Sequence, residues 1–131
     1  MVRAMIDHIG IAVTDIEKSI AFYTKALAPL GYECLRKFDT PSGARVAGFG
    51  IAPKPEFWIA QGTVAQHIHI AFRASGRAKV REFYDAAMAG GGRDNGGPGV
   101  RPHYHEHYYG AFVLDPDGHN VEACCHEPFL G

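Results

Sequence analysis

The sequence lacks the features that would point to a membrane protein, a secreted protein or a nucleic-acid-binding protein. Its longest apolar runs, such as Ile9–Val13, are far shorter than the ~20 residues of a transmembrane helix. The first residues lack the continuous apolar block of a signal peptide, so we expect no export. Cysteine is scarce and odd in number, at three, which favours a reducing cytoplasm over a disulfide framework.

Neither sign of charge is in excess. Thirteen Lys and Arg residues face 14 Asp and Glu residues. A field strong enough to hold nucleic acid phosphates or anionic lipid is therefore not expected, and a small molecule is the expected partner. With 131 residues, 47% hydrophobic and 21% charged, the chain has the size and composition of one folded domain, residues 1–131.

An internal repeat organises this domain. Residues 8–31 align without a gap on residues 69–92, an offset of 61, with eight identities in 24 positions. Two copies are too few for a solenoid. We therefore predict two similar modules in one domain, approximately residues 1–62 and 63–131.

Each module has the pattern of a strand, a helix and further short strands. Residues 6–13 and 66–73 alternate as strands do. Thr14 and Glu17 have capping-box spacing at the start of the first helix, and Ser75 is the expected N-cap of the second. The other predicted strands are residues 33–38, 45–51, 56–61, 108–114 and 119–125, with a type I turn at residues 115–118 and a mobile loop at residues 91–99. The pattern predicts an α+β fold of two tandem βαβββ modules.

Period-two geometry places two histidines on the sheet face opposite the helices. His8 shares its parity with Gly10 and Ala12, which leave room for a ligand, and His69 has the same direction by the repeat. Glu122 in the last strand joins that face, where a carboxylate costs several kcal/mol unless it is paired or bound to a cation. Two imidazoles and a carboxylate fit one divalent metal ion, whose identity among Fe, Mn, Co, Ni and Zn the ligands leave open.

Two segments, HIGIAVTDIEKSIAFYTKAL and YYGAFVLDPDGHNVEACCH, resemble the vicinal oxygen chelate superfamily. This superfamily includes glyoxalase I, fosfomycin-resistance thiol transferases, extradiol dioxygenases, methylmalonyl-CoA epimerase and bleomycin-resistance proteins. The resemblance covers nearly the whole chain. It implies βαβββ modules that pair into a cupped mixed sheet with helices on the outer face, around one divalent metal held by His8, His69 and Glu122. It also implies a homodimer, and leaves open whether the cup forms within one chain or from modules of two chains.

A glyoxalase I-like pattern would add a second glutamate at the end of the first module. Glu56, Trp58 and Gln61 are the alternatives for this place. Glu56 follows Pro53 and Pro55 and is expected to precede the strand, so we favour Trp58, which does not coordinate. A site with three ligands results.

Several side chains are candidates for contacts to a substrate. Arg73 has the parity of His69, and Arg101 is suited to hold a carboxylate or phosphate. The remaining candidates are Trp58, Tyr104, His105 and Tyr108. His103, His105 and His107 would share one face if extended, which makes them an alternative metal site, although a solvated loop is the commoner form of such a tract.

The predicted function is that of a glyoxalase/dioxygenase-type metalloenzyme: a lyase, isomerase, thiol transferase or ring-cleaving oxygenase. Such a metal chelates two neighbouring oxygens of a small substrate and stabilises the negative charge that develops on it. Glu122 and Glu56 are the candidate catalytic carboxylates, and the general base is open between Glu56, a lid histidine and a metal-bound hydroxide. The alternative is a metal-free protein of the bleomycin-resistance type that sequesters a ligand.

Overall fold

The first half of the chain folds into a mixed sheet with one long helix. The computed structural model describes residues 5–128, so residues 1–4 and 129–131 of the predicted domain lie outside the described part. The elements in chain order are β1 (Ile9–Val13), α1 (Ile16–Leu27), a 3-10 turn (Ala28–Leu30), β2 (Glu33–Asp39), β3 (Arg45–Ile51) and β4 (Lys54–Gln61). The strand order is β1-β4-β3-β2, with β1 and β4 parallel and the other neighbours antiparallel.

The second half repeats this arrangement. Its elements are β5 (His69–Arg73), α2 (Arg77–Ala89), β6 (Arg93–Asp94), β7 (Gly99–Val100), β8 (Tyr109–Leu114) and β9 (Asn120–Cys125). The strand order is β5-β9-β8-β6, with β5 and β9 parallel and β7 also paired to β8. The predicted α+β fold of tandem βαβββ modules is confirmed, as is the β8–β9 hairpin, whose turn is closed by a 2.9 Å bond from the Gly118 amide to the Asp115 carbonyl.

Three local predictions are wrong. The first helix is capped by Asp15, whose carboxylate accepts from the Lys18 amide, because the Thr14 hydroxyl instead donates to Asp117 at 2.6 Å. The second helix has Gly76 rather than Ser75 at its N-cap, and no side chain among the described residues caps it. Residues 91–99 are not an irregular loop throughout. They contain β6 and the start of β7, whose backbones pair with the edge of β8.

One apolar core joins the two halves. Helices α1 and α2 pack against each other, and the Phe57 ring of β4 lies 5.3 Å from the Phe72 ring of β5. The core holds the buried aromatic residues Phe22, Tyr23, Phe49, Phe57, Phe72 and Phe83. Burial of each such side chain contributes about 1.5–3 kcal/mol. The predicted alternation holds in β1, where Ile11 and Val13 are buried in this core and Gly10 is exposed on the opposite face.

Polar contacts also fasten the halves together. The buried His119 ring accepts from the Ile68 amide at Nδ1, over 3.1 Å, and donates from Nε2 to the Ala12 carbonyl, over 2.9 Å. The Tyr23 hydroxyl donates to the buried Asp115 carboxylate at 2.5 Å. Each contact satisfies groups that burial removes from water. Among the described residues, no helix combines the length and apolarity needed to cross a membrane.

Candidate metal centre

The contact between His69 and Glu122 is the centre of the candidate site. Parallel pairing of β5 with β9 sets Ala71 opposite Glu122, so the His69 ring reaches the carboxylate from the same sheet face. The distance from His69 Nε2 to Glu122 Oε1 is 2.8 Å. The Glu122 side chain is 2% exposed and that of His69 is 53% exposed. An imidazole and a carboxylate thus meet where the interior opens towards solvent.

Tyr108 holds the other oxygen of the same carboxylate. Its hydroxyl donates to Glu122 Oε2. Burial, followed by the contact with Glu122, raises the pKa of Tyr108, so the phenol keeps its proton and remains a donor. The sequence predicts Tyr108 as a substrate contact; the structure places its hydroxyl on Glu122, where it fixes the orientation of the carboxylate.

His8 does not join this pair within one chain. Its Nδ1 lies 2.8 Å from the Asp7 carboxylate, and its side chain is 58% exposed. That contact lowers the pKa of Asp7. His8 and His69 line one cavity of about 390 Å³ together with Glu56. Within residues 5–128, however, no group of three or more His, Cys, Asp and Glu side chains is arranged to hold a metal ion.

Trp58 lies in β4 at the position that corresponds to Glu122 in β9. Strand β1 pairs Gly10 with Trp58, just as β5 pairs Ala71 with Glu122, and Gly10 and Ala71 are equivalent in the repeat. The amide oxygen of Gln61 lies elsewhere and accepts from the Ile16 backbone at the start of α1.

Glu56 lies inside β4 rather than before it, because that strand already begins at Lys54. Tyr32 lines the same cavity as Glu56. Burial, with a smaller effect of Glu56, raises the pKa of Tyr32. Glu56 therefore lies at the cavity that His8 and His69 also line.

The two candidate arginines have partners within the chain. Arg73 lines the cavity and forms an ion pair with Glu127. Arg101 donates from Nη2 to the Gly97 carbonyl at 2.7 Å, and its guanidinium lies 5.4 Å from the centre of the Phe112 ring. In this state Arg101 fastens the segment around Gly97.

The histidine-rich segment is folded into turns. Bonds from the Tyr104 amide to the Arg101 carbonyl and from the Tyr108 amide to the His105 carbonyl exclude the extended form that the alternative metal site required. His105 Nε2 lies 2.9 Å from His126 Nδ1, and the two rings stack. Tyr104 is exposed and packs against Tyr108.

Sequence reasoning missed His126 as part of this region. It lies four residues beyond Glu122 and therefore has the same strand parity. Its Nε2 lies 3.9 Å from the Sγ of the buried Cys124. Continuing the alternation past the end of β9 would have placed His126 beside the carboxylate face.

Comparison with known proteins agrees with this architecture. The model of the glyoxalase/bleomycin resistance protein/dioxygenase superfamily matches residues 5–123. The chain belongs to this superfamily. Its members commonly bind a divalent metal and small-molecule substrates. Among curated proteins, none matches the chain.

Solved structures of the superfamily include several similar chains. A glyoxalase/bleomycin resistance protein from Albidiferax ferrireducens is 26% identical, with a TM-score of 0.77, 95% of this chain covered and 100% of that one. A glutamate-to-glutamine mutant of glyoxalase I from Zea mays is 25% identical, with a TM-score of 0.69 over 91% of this chain, which spans 46% of that enzyme.

A third neighbour shows likeness of fold alone. It is a mutant of the fosfomycin resistance protein FosX from Listeria monocytogenes, in complex with Mn(II) and 1S,2S-dihydroxypropylphosphonic acid. It is 22% identical, with a TM-score of 0.67, and the match covers 94% of this chain and 92% of that one.

Proposed function

We propose that the chain is a divalent-metal-dependent enzyme of the glyoxalase/dioxygenase type, acting on a small substrate with two neighbouring oxygens. We further propose that it works as a homodimer, in which His8 of one copy completes the ligand pair His69 and Glu122 of the other. The observation that carries the proposal is the contact of a half-exposed imidazole with a carboxylate that is 2% exposed.

The donor chemistry of this pair suits a divalent cation. A buried carboxylate is costly unless a cation or several hydrogen bonds compensate it. Imidazole nitrogen and carboxylate oxygen are the donors that Fe, Mn, Co, Ni and Zn accept in proteins. Tyr108 occupies Oε2 of Glu122, so Oε1 and the Nε2 of His69 are the atoms available to a metal.

A second copy is the proposed source of the third ligand. One chain brings only two of the three predicted ligands together, while the His8 ring remains largely exposed at the edge of the first sheet. In a twofold dimer, the first module of each copy contacts the second module of the other copy, so the same contact forms twice. Two equivalent sites then form, each with two histidines and a glutamate.

The surrounding side chains would bind and orient the substrate. A metal at this place supplies polarisation of a substrate oxygen and stabilisation of negative charge. Glu56 lines a cavity together with His8, the ligand that the same copy would contribute, and is the candidate to accept a proton from the substrate. We propose that Arg73 and Arg101 exchange their present partners for an anionic substrate group, and that Tyr104 and His105 supply further substrate contacts.

A metal-free protein that sequesters a ligand is the second candidate function. It is favoured by the incomplete ligand set of the described chain and by an apolar cavity of about 580 Å³ beside Trp58. A cytoplasmic location is also part of the proposal, supported by three free cysteines, of which Cys124 and Cys125 are buried.

Metal analysis of protein purified without an affinity tag separates the two functions. The proposed dimer has two sites, so we expect about one divalent ion per chain. We expect His69→Ala to lose this ion. His103→Ala, which changes an exposed histidine of the turn segment, serves as the matched control. Absence of metal after supplementation would support the sequestering protein. Activity on hemithioacetals, catechols and fosfomycin then distinguishes the reaction types.

A further inference from the structure

We infer that Trp58 forms the floor of a subsite for a planar aromatic group of the substrate, next to the metal centre. The inference rests on the proposed function for the position of the chelating oxygens. It adds that the substituent next to the chelating oxygens of the substrate is aromatic.

The neighbouring strands leave space for the indole ring. Trp58 pairs with Gly10 on β1 and with Gly48 on β3, so glycines flank it on both sides. A Cβ atom on Gly48 would lie 2.8 Å from the six-membered part of the indole. The ring therefore lies directly on the Gly48 backbone, with no side chain beneath it.

Most of the other side chains that line the cavity are apolar. The Phe38 ring meets the indole edge-on, with centroids 5.9 Å apart and planes at 75°. Phe38 is 42% exposed, and Thr40, Val46 and Pro55 also line the cavity of about 580 Å³. An aromatic guest would stack on one ring and meet the edge of the other, the two arrangements that aromatic pairs prefer.

The cavity begins at the proposed metal centre. Asp7 and His8 line its polar end, and His8 is the ligand that the same copy would contribute to the proposed centre. A substrate whose chelating oxygens lie near His8 therefore carries its next substituent over Trp58. The volume is in the range of pockets that enclose small organic ligands. The geometry fits an aryl-substituted chelating molecule better than a small aliphatic one.

Fluorescence provides a direct test because Trp58 is the only tryptophan in the chain. The probes are mandelate, hexahydromandelate and lactate, which share the α-hydroxycarboxylate and differ in carrying a phenyl, cyclohexyl or methyl group. With manganese-supplemented protein we expect mandelate to change the emission saturably and to bind about tenfold more tightly than lactate, a factor worth about 1.4 kcal/mol.

Two variants test the role of the ring itself. Gly48→Ala pushes the indole from its place, and Trp58→Leu removes it; both should abolish most of the preference for mandelate, measured by calorimetry. Ile51→Ala, an exposed apolar residue at the end of β3 outside the cavity, should keep the preference. Circular dichroism checks that each variant folds, and the comparison of probes on the unaltered protein stands without them.

The outcomes separate this inference from the proposed function. Metal binding without a preference for mandelate overturns the subsite and leaves the metalloenzyme. A preference for mandelate in protein that holds no metal supports the subsite and overturns the metalloenzyme. Equal affinity for hexahydromandelate and mandelate would show that the subsite does not select an aromatic ring, and would overturn that part of the inference. Emission that changes on dilution of the dimer and never with a probe shows that a second copy covers Trp58, which also overturns the subsite.

Discussion

Trp58 in the first half of the chain stands at the place that Glu122 holds in the second. Each lies opposite the equivalent small residue of the first strand of its module, Gly10 for Trp58 and Ala71 for Glu122. The two modules therefore share the backbone position but differ in its side chain, a carboxylate in the second and an indole in the first. A site of three ligands with an apolar flank is the result that we propose.

Restoring a carboxylate at this place should strengthen metal binding. In Trp58→Glu, the new carboxylate would lie on the same sheet face as His8 and supply a fourth donor. Because divalent ions prefer fuller coordination, we expect the affinity for the metal to rise about tenfold. Competition with a chromophoric chelator measures the change. Trp58→Gln controls for the loss of the indole, and equal affinity of the two variants would contradict the equivalence of the two positions.

The contact of Tyr108 with Glu122 gives a second prediction. Tyr108→Phe removes the donor to Oε2 and should weaken metal binding by about 10–100-fold, the usual effect of losing a partner of a ligand. Tyr104→Phe, in the same segment but exposed, should leave the affinity unchanged. Because equilibrium dialysis reads metal binding directly, no substrate is needed. An unchanged affinity in Tyr108→Phe would contradict the role of Tyr108 in orienting Glu122 for the metal.

The sequence predicts the two modules well because the alternation of apolar and polar residues reflects which side chains are buried. Alternation in β1 and β5 identifies which face meets the core, and the repeat transfers that assignment from one half to the other. The turn at residues 115–118 is encoded locally by proline and glycine. These features depend on neighbouring residues, so the bare sequence contains them.

Features that depend on distant partners could not be predicted in the same way. Thr14 has the spacing of a cap, yet a carboxylate 103 residues away, that of Asp117, binds its hydroxyl. The position equivalent to Glu122 depends on how β4 pairs with β1, and counting residues left three alternatives. His8 has the predicted parity, but its neighbour Asp7 holds its ring. Parity fixes a face and not the partner that a side chain finds there.

His119 offers a test of how the halves are joined. His119→Ala leaves the Ile68 amide and the Ala12 carbonyl without their present partner and opens a cavity. We expect the free energy of unfolding to fall by about 2–4 kcal/mol, measured by urea denaturation. His103→Ala, at an exposed position, should change it by less than about 0.5 kcal/mol. A loss as small in His119→Ala would mean that the core alone holds the halves together.

Alkaline pH should weaken the fold partly through Tyr23. Burial, followed by the charge of Asp115, raises the pKa of Tyr23 well above its usual 10.0. Above pH 10, unfolded chains lose this proton while folded chains keep it, so the free energy of unfolding falls as the pH rises. Below pH 10, Tyr23 is protonated in both states and does not change the free energy of unfolding with pH.

The variant Tyr23→Phe isolates this effect. It removes a buried hydrogen bond to a carboxylate, so we expect it to cost about 1.5–3 kcal/mol near neutral pH. It should also show a shallower fall of the unfolding free energy above pH 10 than the unaltered protein. Chemical denaturation at several pH values measures both, and identical alkaline slopes would contradict the assignment to Tyr23.

Metal content of a mixed dimer tests the proposed centre most directly. His8→Ala and Glu122→Gln, each carrying a different non-histidine tag, should hold little metal when purified alone. If the ligands come from two copies, their heterodimer has one site with both defects and one intact, and it should bind about one ion per dimer. A heterodimer without metal, beside unaltered protein that binds about one ion per chain, would place all three ligands in the same chain and contradict the proposed centre.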